Sequence, residues 1–130
     1  MHFHFHTKIL LHNFEGNILV QQRSDTGKRD LLGGKTEIPE KIEDAIIREI
    51  YEESEISDVK DIQILHIESH YMQDKDEYFV LCIFSGMTDA ADVNISNEHL
   101  AYRRVSKEGL FDIGLSDYLQ KSLGKIRELF

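Results

Sequence analysis

The sequence has a single cysteine, a single proline and no tryptophan among its 130 residues. Because one cysteine has no internal partner, a disulfide-stapled scaffold is excluded. Cys82 lies in an apolar run, so we interpret it as a small core side chain and expect a reducing, cytoplasmic setting. No run approaches the roughly 18 apolar residues of a membrane-spanning helix, and residues 1–8 lack the basic and apolar regions of a secretory signal. We therefore expect no membrane partner.

Basic residues are also scarce. The chain has 15 Lys and Arg residues against 24 Asp and Glu residues, which gives a formal net charge of −9. Binding to a nucleic-acid backbone needs a basic surface, so we expect no nucleic-acid partner. A small phosphorylated ligand is compatible with this charge if metal ions offset it. With 41% hydrophobic residues, the chain is predicted to form one globular domain over residues 1–130.

The acidic residues are concentrated in residues 34–56, a segment with the pattern of a helix. Glu49, Glu52 and Glu53 recur at spacings of three and four, which places their side chains on one helix face. The apolar residues of the same helix are Ile42, Ala45, Ile46 and Ile50. At about 100° per residue, Glu49 and Glu53 fall within the apolar arc and Glu52 falls just beside it. Gathering carboxylates there is costly unless a cation or protons neutralise them, and oxygen ligands suit Mg²⁺ or Mn²⁺. The competing interpretation is a solvated, charged helix end.

The spacing within this segment resembles the Nudix box, in which a glycine, glutamates, an arginine and aliphatic residues stand at fixed intervals. The matching positions are Gly34, Glu40, Arg48, Glu49, Ile50, Glu52, Glu53 and Ile56. Glu55 stands where the family has a glycine, so we expect the helix to end differently here. The resemblance implies a MutT-like Nudix hydrolase with an α/β/α sandwich, in which a mixed β-sheet lies between helices. It also implies hydrolysis of a pyrophosphate bond in a nucleoside diphosphate linked to another group.

The resemblance further implies roles for individual residues. The expected ligands of Mg²⁺, or of Mn²⁺, are the carbonyl of Gly34 and the carboxylates of Glu40, Glu49, Glu52 and Glu53. Arg48 is expected to fix the orientation of a box glutamate. A box glutamate, or Glu98 outside the box, is expected to take the proton from the attacking water. The rivals of Glu98, in a nearby hairpin, are Asp74, Asp76 and Glu77.

The substrate is indicated less directly. The candidates for binding its phosphates are Arg23, Lys28 and Lys35. The small size of the chain is typical of MutT-type nucleoside triphosphate pyrophosphohydrolases, which release a monophosphate and pyrophosphate. An ADP-ribose or NDP-sugar pyrophosphatase is the alternative, although Pro39 is the only proline and the proline that often follows the box in that group is missing.

Two further substrate classes and one further protein class remain open. Tyr71 stands where dinucleoside polyphosphate hydrolases often have a tyrosine, and an RNA cap is a related possibility. A non-catalytic nucleotide sensor is the alternative of a different class. Such proteins usually lose box acids, and all of them are present here.

Alternation predicts an N-terminal strand over residues 2–12 with phenylalanines on one face and histidines on the other. The histidine face consists of His2, His4 and His6. We interpret it as the more solvated face, with a transition-metal site as the alternative. The face with Phe3 and Phe5 is expected to serve a homodimer, or else this strand is a free edge of a monomer.

The rest of the chain alternates strands, loops and a final helix. The predicted elements are a hairpin strand over 18–22, a polar loop over 23–30, a helix from Pro39 to about Ser54, strands over 62–72 and 77–84, a polar loop over 86–97, a short strand over 101–105, a loop over 106–110, and a helix that begins at Ser116 or Asp117 with an apolar stripe reaching Phe130. The run from 78 to 84 is nearly all apolar, which predicts a strand buried on both faces. Such a strand requires helices on both sides of the sheet.

Overall fold

The computed structural model describes residues 2–90 and 99–130. Its strands are β1 (His2–His12), β2 (Ile18–Arg23), β3 (Arg29–Lys35), β4 (Lys60–Met72), β5 (Glu77–Met87) and β6 (His99–Val105). Its α-helices are α1 (Ile42–Ser54), α2 (Lys107–Leu110) and α3 (Asp117–Lys125), with 3₁₀ turns at Gln73–Lys75 and Arg127–Leu129.

The six strands form one mixed sheet in the order β4-β5-β1-β3-β2-β6. β1 runs parallel to β5 along its whole length and antiparallel to β3. It pairs with β2 only where His12 meets Ile18, so the predicted hairpin is confirmed at its turn alone. β1 is therefore an interior strand, and the alternative of a free monomer edge at this strand is wrong.

Helices cover both faces of the sheet, as the buried run of β5 requires. On the α1 face the buried core consists of Ile9, Leu11, Leu19, Leu32, Ile46, Ile50, Ile56, Cys82 and Phe84. On the α3 face it consists of Leu10, Ile18, Val20, Leu31, Phe79, Leu81, Ile83, Val105, Leu110, Leu115, Leu119, Leu123 and Ile126. Successive residues of β1 contribute to the two cores in turn, because side chains alternate along a strand. The predicted α/β/α sandwich with a mixed sheet is confirmed.

The alternation of β1 is confirmed, but the burial of its two faces at the N-terminal end is the reverse of the prediction. Phe3 and Phe5 are 56% and 40% exposed. His4 stacks on Phe79 with ring centroids 5.4 Å apart, and His6 meets the same ring at 5.6 Å. Burial lowers the pKa of His6 to about 3, so its imidazole is neutral. His4 and His6 are less solvated than Phe3 and Phe5 because they share their face with the α3 core.

The box helix begins later than predicted and ends where predicted. α1 starts at Ile42 because Glu40 closes a turn before it: the Glu40 N–H donates to Glu37 O at 2.7 Å, and the Glu40 carboxylate accepts from the Glu37 N–H at 2.9 Å. At the other end Glu55 adopts the left-handed conformation, with φ of 60°, and its N–H donates to Tyr51 O. The prediction of a different helix end was wrong, since this glutamate takes the conformation that usually favours glycine.

Other boundaries differ by a few residues. β5 continues through Met87, so the strand extends past residue 86, where a loop was predicted to begin. Residues 107–110 form the short helix α2 instead of the predicted loop. α3 begins after Ser116 as predicted, while Leu129 of the expected apolar stripe is 60% exposed. No helix in residues 2–90 or 99–130 combines the length and the hydrophobicity that crossing a membrane requires.

The left-handed cap gives a first prediction. Glu55→Gly should be about 1 kcal/mol more stable than Glu55→Ala, because only alanine has a Cβ that opposes this conformation. Urea unfolding of the two variants measures the difference, and comparing them cancels the loss of the glutamate side chain itself. Equal stabilities would contradict the left-handed cap.

Candidate functional site

The three neighbouring glutamates of α1 lie at different depths. The helix packs Ala45, Ile46 and Ile50 against the sheet, so the residues one turn further along the same face are drawn inward. The Glu49 side chain is 15% exposed, whereas that of Glu52 is 54% exposed. This agrees with the arc predicted for the helix, in which Glu52 lies just outside the buried side.

Arg48 joins the carboxylates to one another. Its Nε and Nη2 donate to the two oxygens of Glu40 at 2.7 and 3.0 Å. Its Nη1 contacts Glu49 Oε1 and Glu52 Oε2, each at 3.0 Å. Its Nη2 also donates to the carbonyl of Lys35 at 3.2 Å. A bidentate grip of this kind fixes both partners, so Arg48 orients three box glutamates where the sequence predicted one.

The charges around Arg48 shift each other's pKa values. The Arg48 guanidinium holds the pKa of Glu40 below its ordinary value, with help from the Glu37 N–H. The pKa of Arg48 is raised, chiefly by its hydrogen bonds to Glu40, so it stays charged at any working pH. Burial raises the pKa of Glu49, although Arg48 opposes this. The cluster holds more carboxylates than the single guanidinium neutralises.

Glu53 is the most deeply placed of these acids. Its Oε1 accepts from the Gly33 N–H and its Oε2 accepts from Gln21 Nε2, both at 2.8 Å. Burial raises its pKa to about 7, against the opposing effects of Gln21, the Lys8 charge and the Gly33 N–H. The hydroxyl of Tyr102 donates to the Glu53 carbonyl and ties β6 to the end of α1.

Three of the residues around Glu53 were missed by the sequence analysis: Lys8, Gln21 and Tyr102. Lys8 is buried, and its ammonium group donates to Asp30 at 2.6 Å and to the carbonyl of Leu31 at 3.2 Å. Burial alone would lower the pKa of Lys8, but the Asp30 carboxylate, together with Tyr118 and Glu53, raises it. The sequence did contain a signal for two of them: Lys8 and Gln21 are polar residues within strands that are otherwise apolar at their buried ends.

Gly34 makes room for the carboxylate cluster. A Cβ built at this position would lie 2.8 Å from the carboxylate of Glu49, so a side chain would displace that group. The Gly34 carbonyl accepts from the Thr7 hydroxyl at 3.1 Å. The role of this carbonyl as a metal ligand stays a prediction.

The donor set fits a hard divalent cation in its chemistry. It supplies carboxylate oxygens and a backbone carbonyl, which are the ligands of Mg²⁺ and Mn²⁺. In residues 2–90 and 99–130, however, no three His, Cys, Asp or Glu side chains are already grouped to hold a metal ion. Arg48 holds Glu49 and Glu52 instead, so a cation has to take these oxygens from the guanidinium. The transition-metal alternative for the histidine face of β1 has no such group either.

A cleft of about 860 Å³ lies on the face of the sheet opposite α1, and the box glutamates are not among the residues that line it. Lys28 and Lys35 line it together with His6, Phe79 and Tyr118, on the α3 face of the sheet. Because the Lys35 carbonyl contacts Arg48, this residue connects the cleft to the carboxylate cluster. The structure thus brings two of the three predicted phosphate-binding residues to one cavity.

The remaining candidates are scattered. Arg23 does not line the cleft, and it pairs with Asp25 at 3.0 Å at the end of β2. Asp74 and Glu77 line the cleft, whereas Asp76 accepts from the Tyr71 hydroxyl at 2.9 Å. Glu98 lies outside the described residues.

Comparisons with known proteins agree with this arrangement. The family model of the NUDIX domain matches residues 2–128. A MutT protein from Methanosarcina mazei Go1 has a similar structure, with a TM-score of 0.84, 25% identity, and coverage of 98% of this chain and 95% of that one. No curated protein sequence matches this chain significantly.

Two more distant structures share the fold. The MutT NUDIX hydrolase from Burkholderia pseudomallei has a TM-score of 0.78 at 19% identity and covers 97% of this chain and 99% of its own. The NUDIX domain of Shewanella oneidensis NrtR, solved with ADP ribose, has a TM-score of 0.78 at 16% identity and covers 100% of this chain and 90% of its own. At these identities the likeness concerns the fold alone.

The environment of Glu53 gives a second prediction. In metal-free protein its carboxyl carbon, followed by NMR, should titrate with a pKa of about 7. The double variant Lys8→Met/Asp30→Asn should raise that pKa further, because the Lys8 charge favours the ionised carboxylate. Asp30→Glu keeps both the carboxylate and the lysine charge and is the control. Titration near the ordinary pKa of 4.5 would contradict the burial described for Glu53.

Proposed function

Because this chain belongs to the Nudix family of hydrolases, we propose that it hydrolyses a pyrophosphate bond in a nucleoside triphosphate, in the manner of a MutT-like enzyme, and releases the monophosphate and pyrophosphate. The observation that carries the proposal is the excess of box carboxylates around Arg48, which also contacts Lys35, a residue of the cleft with lysines and aromatic rings on the other face of the sheet. The acids suit a metal ion, and the cleft suits a nucleoside attached to phosphates. We also propose that the protein works in a reducing cytoplasm, as expected from its single cysteine, Cys82.

The box supplies the oxygens for the metal. We assign the carboxylates of Glu40, Glu49, Glu52 and Glu53 and the carbonyl of Gly34 to hold Mg²⁺ or Mn²⁺. A divalent ion offsets phosphate charge and lowers the pKa of a water molecule. Among these carboxylates, Glu40 is the one that Arg48 gives up least readily to a metal ion, because Arg48 donates two hydrogen bonds to it.

The protein's own side chains perform the remaining tasks. A box glutamate, with Glu98 as the alternative, is assigned the proton of the attacking water. Arg48 is a positioning residue, because it fixes the glutamates and the carbonyl of Lys35 rather than reaching into the cleft. Lys28 and Lys35 line the cleft and are assigned to the phosphates, while Arg23 would have to leave Asp25 to join them.

Two other functions are compatible with the same site. ADP-ribose or an NDP-sugar is the second substrate candidate, since the similar NUDIX domain of NrtR was solved with ADP ribose. A sensor that binds a nucleotide without cleaving it is the candidate of another class. The complete set of box acids favours catalysis over sensing.

The third prediction tests the reaction. With Mg²⁺, the protein is offered the common ribo- and deoxyribonucleoside triphosphates, an oxidised dGTP, ADP-ribose and a diadenosine polyphosphate, and the products are identified. Glu52→Gln and Glu53→Gln should each lower kcat by roughly a hundredfold or more while the fold survives, because each removes a charged oxygen from the metal site. Glu43→Gln is the matched control, since Glu43 is exposed on the same helix.

The products separate the candidates. Monophosphate and pyrophosphate support the MutT-like reaction and name the base. AMP and ribose phosphate would transfer the protein to the ADP-ribose branch. Tight binding without turnover would establish a sensor, and normal turnover in both folded variants would remove the box from the reaction.

A further inference from the structure

His70 lies in the wall of the cleft, on β4, where its ring is held in one orientation. It stacks on Phe79 with centroids 5.5 Å apart and an interplanar angle of 30°. It meets Tyr118 edge-on at 5.6 Å, and Phe79 and Tyr118 contact each other at 5.1 Å. Both neighbours belong to the α3 face and line the same cleft. The imidazole is therefore held in place within the wall of the cleft.

The proton on this imidazole is fixed by a chain of hydrogen bonds that passes through the Ser122 hydroxyl. His70 Nε2 lies 2.9 Å from the hydroxyl of Ser122, and that hydroxyl donates to Glu68 Oε1 at 3.0 Å. Ser122 is fully buried on α3. Because a serine has one O–H to donate, and Glu68 receives it, the Ser122 oxygen can only accept from His70.

Glu68 is held in the ionised state, so it cannot reverse this direction. Lys125 Nζ donates to its Oε2 and His66 Nε2 lies 2.8 Å from its Oε1. These contacts and the Ser122 hydroxyl lower the pKa of Glu68 to about 2. An ionised carboxylate only accepts hydrogen bonds. The chain from Glu68 through Ser122 thus places the proton of neutral His70 on Nε2.

The other ring nitrogen, Nδ1, is consequently a hydrogen-bond acceptor. Among the described residues none forms a hydrogen bond with Nδ1. This nitrogen is also not buried without a partner, so it is not sealed from solvent. Burial lowers the pKa of His70, and the Lys121, Lys125 and His66 charges add to this against Glu68, so the neutral form prevails near pH 7. The wall of the cleft accordingly offers a rigid acceptor between aromatic surfaces.

We propose that His70 determines specificity by accepting, at Nδ1, a hydrogen bond from the exocyclic amino group of a nucleobase in the cleft. That a nucleotide occupies the cleft rests on the proposed function, whereas the tautomer of His70 does not depend on it. Nδ1 stands beside its own Cβ and the strand backbone, so a group that projects from the base edge reaches it more easily than a ring N–H between two substituents. The chemical class selected is adenine, guanine or cytosine over bases without an amino group.

The test uses binding and needs no turnover. NMR titrations at pH 7 without metal give Kd for AMP, GMP and CMP, each against the monophosphate that lacks the amino group: purine riboside, inosine and zebularine monophosphate. For at least one pair the amino compound should bind the wild type about tenfold more tightly. His70→Phe keeps an aromatic ring beside Phe79 and should bring that ratio to about one. The control is His66→Phe, which makes the same change on the same strand at a histidine that also contacts Glu68. This variant should leave the ratio unaltered.

Ser122→Ala tests the hydrogen-bond chain itself. Ring-nitrogen NMR shifts of His70 should show the Nε2–H tautomer in the wild type and a mixture in the variant, with an intermediate Kd ratio. The inference is overturned if no pair differs in the wild type, if no monophosphate binds, if the ratio survives in folded His70→Phe, or if the wild type carries the proton on Nδ1. Mg²⁺-dependent hydrolysis that depends on Glu53 would still support the proposed function in each of those cases.

Discussion

Repulsion among the glutamates of α1 is the constraint on which the site depends. One helix face brings them together beside the sheet, where burial makes uncompensated charge costly. Arg48 relieves part of this by contacting Glu40, Glu49 and Glu52 at 2.7–3.0 Å. The glutamates still outnumber it, so the cluster keeps a demand for positive charge. That demand is the physical reason why a divalent cation fits this helix.

The sheet gives the deepest acid a different environment. Glu53 passes beside β3 to reach the Gly33 N–H and Gln21, and the buried pair of Lys8 and Asp30 lies close by. Its pKa near 7 follows from burial against these favourable contacts. One helix therefore carries exposed and partly buried carboxylates within two turns. In the proposed reaction, the same side-chain type would both bind a cation and handle a proton.

The carboxylate helix was predictable because its periodicity lies within one element, and the spacing of Glu49, Glu52 and Glu53 alone decides which face they share. Partners from other strands, such as Lys8 and Gln21, depend on sheet order, which local patterns do not encode. The wrong assignment for His4 and His6 has the same origin, since the face that α3 covers is a tertiary property. Glu55 shows the limit of propensity, because the end of the helix imposes a conformation that its residue type disfavours.

The most direct measurement of the central claim is a map of Mn²⁺ broadening on the backbone amide signals of the intact protein. Mn²⁺ broadens signals steeply with distance, so the broadening locates the ion without any assay of activity. We expect the strongest broadening at Gly33, Gly34 and residues 49–53, with displacement of Arg48 side-chain signals. Broadening centred on another acidic surface, such as Asp58 and Asp89, would contradict it.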